Sequence, residues 1–426
     1  MKKLFALAVV MLVAGRIFAA DIPAPQIPDH VFTVTDYGAV GDGKTMNTEA
    51  IAKTIAACVA AGGGRVSFPA GNFLTGPFVI QSNMDLHVEK GASVVFSDDP
   101  TNYKLTNRRF ENCILAQNCH DILISGEGTI DGQGAYWWHH YVLPKNSPPA
   151  TTQPERRPNM IALSGCQRVR VEGVTLTNSP MFHLVPQGCQ DVTIDGIKII
   201  APGVGGPNTD GIDPSGYNFH ILNCMIDVGD DCIAIKPSRR IDPNKPSCLD
   251  FLIEDCTFLH GHGMSIGNPT PGGLKNLTVR NCTFDGTDCG IRMKTSRLAG
   301  GIVEDCTYDN LKMKNVKTAI LITDYYPSIP LHPEDDPAQT VGPNTPIFRH
   351  IHISNVTAVD SMVAGQLIGV AEMPLSDIMM DHVNISAKTG MRIVHAKDIK
   401  FTNSSITTET GPATTQFDAQ VTGLTQ

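Results

Sequence analysis

Aromatic residues make up only 6 % of this 426-residue chain, charged residues only 18 %, and there are just two tryptophans. The scarcity of charge, beside a hydrophobic fraction of 42 %, excludes disorder as the main state, because the chain can bury a sizeable core. Basic residues are in deficit: 33 Lys and Arg against 42 Asp and Glu leave a net charge of −9, with few Lys/Arg runs. Such a chain lacks the electrostatic footprint that phosphate binding needs, so nucleic acid is not an expected partner. Beyond the N-terminus no apolar run is long enough to cross a bilayer, so no membrane span is expected. What is abundant is turn material. Glycine (39) and proline (29), with many Asn and Thr, point to a turn-rich β protein.

Residues 1–20 read as a signal peptide: Lys2 and Lys3 precede a short apolar stretch, and Ala19 and Ala20 offer a cleavage site. Arg16 and Phe18 leave the exact cut open. The expectation is a secreted, soluble protein, extracellular or periplasmic. A Pro-rich linker follows at 21–30. Export makes disulfides among the twelve cysteines possible without requiring them, since a chain this long folds without staples.

A strand starting at Phe32 precedes a helix that Asn47 or Thr48 can cap. Ile51, Ile55 and Val59 give that helix one apolar stripe, and the glycines at 62–64 end it. From about residue 113 the chain repeats: a few β-type residues, a turn residue, then a second short strand. The turn positions are Gly126, Gly173, Gly196, Asn223, Asp255, Asn281, Asp305, Asn355, His382 and Asn403. Most gaps are 21 to 32 residues; two, of 47 and 50, are about twice as long, and the later has room for a further rung near 318–326. This period, β-rich and without intervening helices, predicts a parallel β-helix over 31–406, with a polar, loosely packed tail at 407–426. A sandwich or propeller fits less well, given the unequal loops and the lack of tight hairpin turns. Cys224, Cys256, Cys282 and Cys306 each follow a turn residue and are expected to form a buried column. The helix would cap the open end of the stack. Residues 133–158 interrupt the repeat and carry Trp137 and Trp138, either as a lid whose aromatics stack on sugar or as local packing.

Four short segments carry the chemistry: NTDGID at 208–213, GDD at 229–231, GHG at 261–263 and RMK at 292–294. Each alone is ordinary turn or surface material. Their spacing is not: 20 residues separate Asp210 from Asp230, 31 separate Asp231 from His262, and 30 separate His262 from Arg292. One coil apart in a β-helix means one strand spacing apart, so these residues should share a face. Three crowded carboxylates cannot all ionise freely, and that favours one acid beside one or two bases. Acid/base hydrolysis of a glycosidic bond needs such a set. A Ca²⁺ site is the competing reading. Arg292, Lys294 and His262 would repel the ion and suit an acidic substrate instead. No metal or cofactor is expected.

The four segments, in this order and spacing, with GTIDGQGAYWW and NSPMFHLVP upstream, resemble the polygalacturonases, the pectin-degrading glycoside hydrolases of family 28. The resemblance runs from about Phe32 to Asn403; Met293 stands where the family usually has Ile. It implies a right-handed parallel β-helix with a short N-terminal capping helix, and hydrolysis of α-1,4-linked galacturonan with inversion. It also implies roles: Asp230 as general acid, Asp210 and Asp231 as the residues that hold and deprotonate water, and His262 as tuner of their protonation. Arg292 and Lys294 would bind the galacturonate carboxylate, and Asn208 would position the substrate or Asp210. A late tyrosine of the family matches either Tyr325 or Tyr326. An exo-acting or rhamnogalacturonan or xylogalacturonan hydrolase, a Ca²⁺-dependent lyase on the same fold, and a non-catalytic binding module are the alternatives. Family members carry a disulfide beside the Asp pair, which points here to Cys232 and Cys248; two free core thiols are the alternative. The expected partner is pectin polysaccharide, bound by a monomer.

Overall fold

The computed structural model describes residues 22–142, 154–203, 205–238, 240, 242 and 244–424. The proposed signal segment lies outside the described residues, as does the middle of the 133–158 interruption. The chain winds into a right-handed parallel β-helix. Strand pairs match residue for residue across coils: Val169 with Val192, Val192 with Phe219, Phe219 with Phe251, Phe251 with Leu277. Because successive coils stack in register, like residues form columns through the core. One runs Leu86, Ile124, Val171, Ile194, Ile221, Ile253, Val279, Tyr308, Ile353 and Met380, all without solvent exposure. Each such side chain contributes about 1.5–3 kcal/mol of burial. That is why the coils stay in register despite loops of unequal length.

The corners between strands need left-handed backbone. Asn223, Asp255, Asn281, Asn310, Asn355, His382 and Asn403 all have φ between 49° and 56°. Asn and Asp tolerate this conformation because their short polar side chains bond locally, whereas other L-residues pay about 1–2 kcal/mol. Here the amides link neighbouring coils: Asn223 Nδ2 donates to Asp195 Oδ1 at 2.9 Å and Asn310 Nδ2 to Asn281 Oδ1 at 2.9 Å.

This column corrects the reading of the repeat at Asp305. The register pairs Leu277 with Cys306 and Arg280 with Asp309, so the turn residue after Asn281 is Asn310. Asp305 belongs to a separate left-handed column with Asn218, Asp250, Asn276, His350 and Asp377. Letter similarity between RNCTF and EDCTY set the frame five residues early. Cys306 therefore stacks on Leu277, beneath Ile351, and not in the cysteine column. Cys224, Cys256 and Cys282 do occupy one column, each thiol donating at 3.2 Å to the carbonyl two residues earlier. The long gap that followed holds no extra rung. Thr318–Thr323 is the third side of the same coil, paired with Cys289–Lys294, and the remaining length is the loop after it.

Thr48–Ala60 forms the expected helix, packed against Val31–Thr33 and Gly64–Phe68 at the N-terminal end of the stack. Its buried face is Ala50, Ile51, Thr54, Ile55 and Cys58, while Val59 is exposed. Asn47 stands at the cap position, but its side chain ties the preceding loop, accepting from Val40 N and donating to Val40 O and Leu74 O. The polar tail is largely exposed as expected, yet Thr414–Thr422 is a strand paired with Met391–Lys400, so the coil continues through it. All twelve cysteines are free and buried, which corrects the Cys232–Cys248 pairing. Cys248 opens a strand paired between Gly216 and Leu274, whereas Cys232 precedes Ile233–Ile235 in a different stack. Its Sγ donates to His260 O at 3.0 Å. The two tryptophans lie in the short helix Ala135–His140 and pack inward. Trp137 meets Tyr103 and Phe110 edge-on, and Trp138 Nε1 donates to Ser179 O.

Candidate active site

The site lies on one outer face, where short strands stack in the order Leu184–Gln187, Ile212, Ile233–Ile235, Met264–Ile266 and Cys289–Lys294. Alternation fixes which side chains point out. Ile233 and Ile235 enter the core, so the residues flanking them face the groove. In the next coils the same alternation turns Ser265, Arg292 and Lys294 outward while Ile266 and Met293 fill the core. Asp230 and Asp231 sit at the corner entering this stack. Asp210 enters one coil earlier, where Gly211 N donates to Asp231 O.

All six acid, base and cationic candidates converge. Asp231, only 1 % exposed, is the hub. It accepts from Arg292 Nη1 at 2.5 Å, Lys294 Nζ at 2.7 Å and Ser265 Oγ at 2.8 Å. His262 Nδ1 lies 3.1 Å from Asp230 Oδ1 and 3.5 Å from Asp231 Oδ1, and its Nε2 lies 3.2 Å from Asp288 Oδ2. Asn208 Nδ2 reaches Asp230 Oδ2 at 3.5 Å, while its Oδ1 accepts from Arg157 Nη2 at 2.8 Å.

The electrostatics divide the carboxyls into two groups. Burial raises Asp231, but His262, Lys294, Lys236 and Arg292 outweigh it and hold this carboxyl well below the usual range. Asp230 is also lowered: burial opposes ionisation, and the His262 contact prevails. Burial, then the charge of Asp213, drives Asp210 well above its ordinary value, and burial lifts Asp213 to about 6. His262 is disfavoured as a cation by burial, but Asp230 and Asp231 hold it at about 9. At neutral pH the ionised carboxylates therefore sit beside His262 and the cations, and the carboxyl most inclined to hold a proton is Asp210.

Asp230, Asp231 and His262 offer ligand atoms within 4.8 Å of one another. The donor set does not suit a cation, because Arg292, Lys294 and, at 3.8 Å, Lys236 already meet Asp231 with positive charge.

Sequence reasoning passed over several members. Lys236, at the end of the quoted GDDCIAIK segment, reaches Asp210 at 3.4 Å and Asp213 at 3.6 Å. Alternation from Ile233 was the signal that could have found it. Of the two tyrosines, Tyr326 stands at the site, its ring 5.1 Å from Lys294 Nζ, while Tyr325 donates to Asp336. Arg157, Ser265 and Asp288 meet the site from other coils, and His183, in the quoted NSPMFHLVP segment, lies with Nδ1 3.0 Å from Asp210 O. Beside Lys236 the groove continues as a cavity of about 690 Å³, lined by Arg109, Arg156, Arg157, Asn159, Phe182 and Asp213 among others.

The model of the "Glycosyl hydrolases family 28" matches residues 58–408. The chain belongs to glycoside hydrolase family 28. An exopolygalacturonase of Zea mays is 30 % identical over 400 residues, covering 90 % of this chain and 91 % of that one. A probable polygalacturonase of Vitis vinifera is 28 % identical over 402 residues, covering 87 % and 77 %. Among solved structures, a hyperthermoactive exopolygalacturonase from Thermotoga maritima superposes with a TM-score of 0.76 at 26 % identity, covering 90 % of this chain and 93 % of that one. This family 28 chain is a glycoside hydrolase.

Proposed function

We propose that this enzyme hydrolyses α-1,4-galacturonosidic bonds of polygalacturonan by single displacement, with inversion at the anomeric carbon. The observation that carries the reading is the meeting of Asp210, Asp230 and Asp231 with Arg292 and Lys294 on one face of four successive coils. Carboxyls supply the acid and the base, and fixed cations supply the counter-charge for an acidic sugar.

Asp230 is the general acid, and Asp210 and Asp231 hold and deprotonate the attacking water. In the empty groove the proton belongs to His262, since Asp230 is held low and His262 high. A sugar ring laid over the partly exposed Asp230 strips its water and raises its proton affinity. The proton then passes from His262 Nδ1 to Asp230 Oδ1 across 3.1 Å and on to the leaving oxygen. Arg292 and Lys294 receive the galacturonate carboxylate, Tyr326 flanks it beside Lys294, and Asn208, held by Arg157, orients the Asp230 side. The N-terminal segment supports export, and the enzyme acts as a monomer outside the cytoplasm.

The deciding experiment is incubation with polygalacturonate in the presence of chelator. New reducing ends without unsaturated product are expected. Activity lost to chelator with unsaturated ends would make the enzyme a lyase, and binding without cleavage would make it a module.

A further inference from the structure

The roles proposed above leave one problem. The water-activating side needs Asp210 ionised, yet Asp210 is 3 % exposed, crowded by Asp213, and has a buried Oδ1 without a hydrogen-bond partner. The substrate brings a further negative charge into this space. Arg292 and Lys294 are already engaged with Asp231. Among the described residues, Lys236 is the cation in ion-pair contact with Asp210 and with Asp213.

We propose that Lys236 is a positioning residue for the water-activating carboxylates: its ammonium keeps Asp210 charged and aimed while an anionic sugar occupies the groove. The placement is built into the coil. Lys236 follows Ile233–Ile235, and its N–H donates to Pro214 O at 3.0 Å, which fixes where the side chain starts. The stem runs past Phe182, whose ring centroid is 5.8 Å from Nζ. The corresponding position in the next coil is Gly267, at φ 83°, where a Cβ would stand 2.1 Å from Lys294 O. With no side chain there, Lys236 and Lys294, two coils apart, both reach Asp231, at 3.8 and 2.7 Å. Lys236 thus links the Asp210–Asp213 pair to the Asp231 hub, where neither Arg292 nor Lys294 makes an ion pair with Asp210.

The other charged groups facing Asp210 are Asp213, Asp230, Asp231 and, from the loop before Met160, Arg157; His262, Arg292 and Lys294 are paired with Asp231. Of these, Arg157 is committed to Asn208 and to the carbonyls of Pro180 and Pro207.

This inference rests on Asp210 acting as base, and its test separates the two. Reducing-end release from polygalacturonate is followed as kcat and KM across pH for the wild type, Lys236→Met, Lys236→Arg and the double variant Lys236→Met/Asp213→Asn. Losing an opposite charge at this range raises a carboxyl pKa by about 1–3 units. The acidic limb of kcat should therefore move up by at least about one pH unit in Lys236→Met. It should return towards wild type in Lys236→Arg and in the double variant, where one of the repelling carboxylates is gone. A raised KM with an unmoved acidic limb would overturn the proposal, making Lys236 a substrate contact only. A lowered melting temperature with no movement of the limb would overturn it in favour of a structural role. If Lys236→Met does not fold, Lys236→Gln takes its place: the same upward movement of the acidic limb supports the proposal, and an unmoved limb in a folded Lys236→Gln overturns it. A wild type that releases no reducing ends would instead sink the functional reading.

Discussion

Lys294 is where the structure makes the sharpest demand. Its Nζ is buried, 2.7 Å from Asp231 Oδ2 and 5.1 Å from the Tyr326 ring centroid. Replacing it with Met keeps most of the stem and removes the charge. Asp231 retains Arg292 at 2.5 Å and Ser265 at 2.8 Å, so the carboxylate is weakened but not orphaned. The cost in folding should therefore fall near the single hydrogen-bond range for charged groups, about 1.5–3 kcal/mol. The same range applies to a lost bond to the substrate carboxylate, and one factor of ten corresponds to about 1.4 kcal/mol. Together these give a fall in kcat/KM of about 10- to 150-fold. The assay is steady-state hydrolysis of oligogalacturonates of defined length, with kcat and KM separated and melting temperature measured alongside. KM should rise as well as kcat fall, because the group serves both the substrate and the Asp231 hub. The difference in affinity should be greatest at low salt, where attraction is least screened. A folded Lys294→Met with both constants within about twofold of wild type would refute the reasoning.

Three further outcomes are expected. Asp230→Asn should lower kcat by about 10²–10⁴-fold with an unchanged melting temperature, since it removes the acid with almost no change of shape; near-normal turnover in a pure, folded variant would show that another group donates the proton. The profile of kcat/KM should be bell-shaped. As pH rises through about 9 His262 loses the proton that Asp230 needs, and as pH falls Asp210, raised by burial and by the charge of Asp213, takes one up and no longer accepts from water, so activity is lost on both sides; a plateau extending well above pH 9 would contradict the proton store assigned to His262. Proton NMR of the first-formed product should show the β-anomer, and a retained α-anomer would exclude single displacement.

The repeat was legible because it is chemical. Left-handed corners select Asn, Asp and Gly, and strands that stack face to face select Ile, Val, Leu and Phe at alternate positions. Those preferences are local, so they appear in the chain as a period. The same period places Asp210, Asp230, Asp231, His262, Arg292 and Lys294 on one face. It failed at Asp305, because more than one left-handed position occurs in a coil, here Asp305, Asn310 and Asn315. Each accepts Asp or Asn, and nothing local distinguishes one from another. Only pairing of Leu277 with Cys306 decides the frame.

What the amino-acid order determined alone was therefore the architecture and which six candidate residues share one face, since both follow from spacing along one coil. The tertiary structure decided what depends on neighbours from different coils. It turned Cys232 and Cys248 into separate strand stacks, buried Trp137 against Tyr103 and Phe110, and chose Tyr326 over Tyr325 beside Lys294. It also brought Lys236 against Asp210 and Asp213, 26 and 23 residues away along the chain. The protonation order of the carboxyls belongs to this second class. Asp210 and Asp231 are the same residue type at equivalent corners, and they diverge because Asp231 has Arg292, Lys294 and Ser265 on its oxygens while Asp210 is crowded by Asp213 and has only the more distant Lys236 beside it among the described residues.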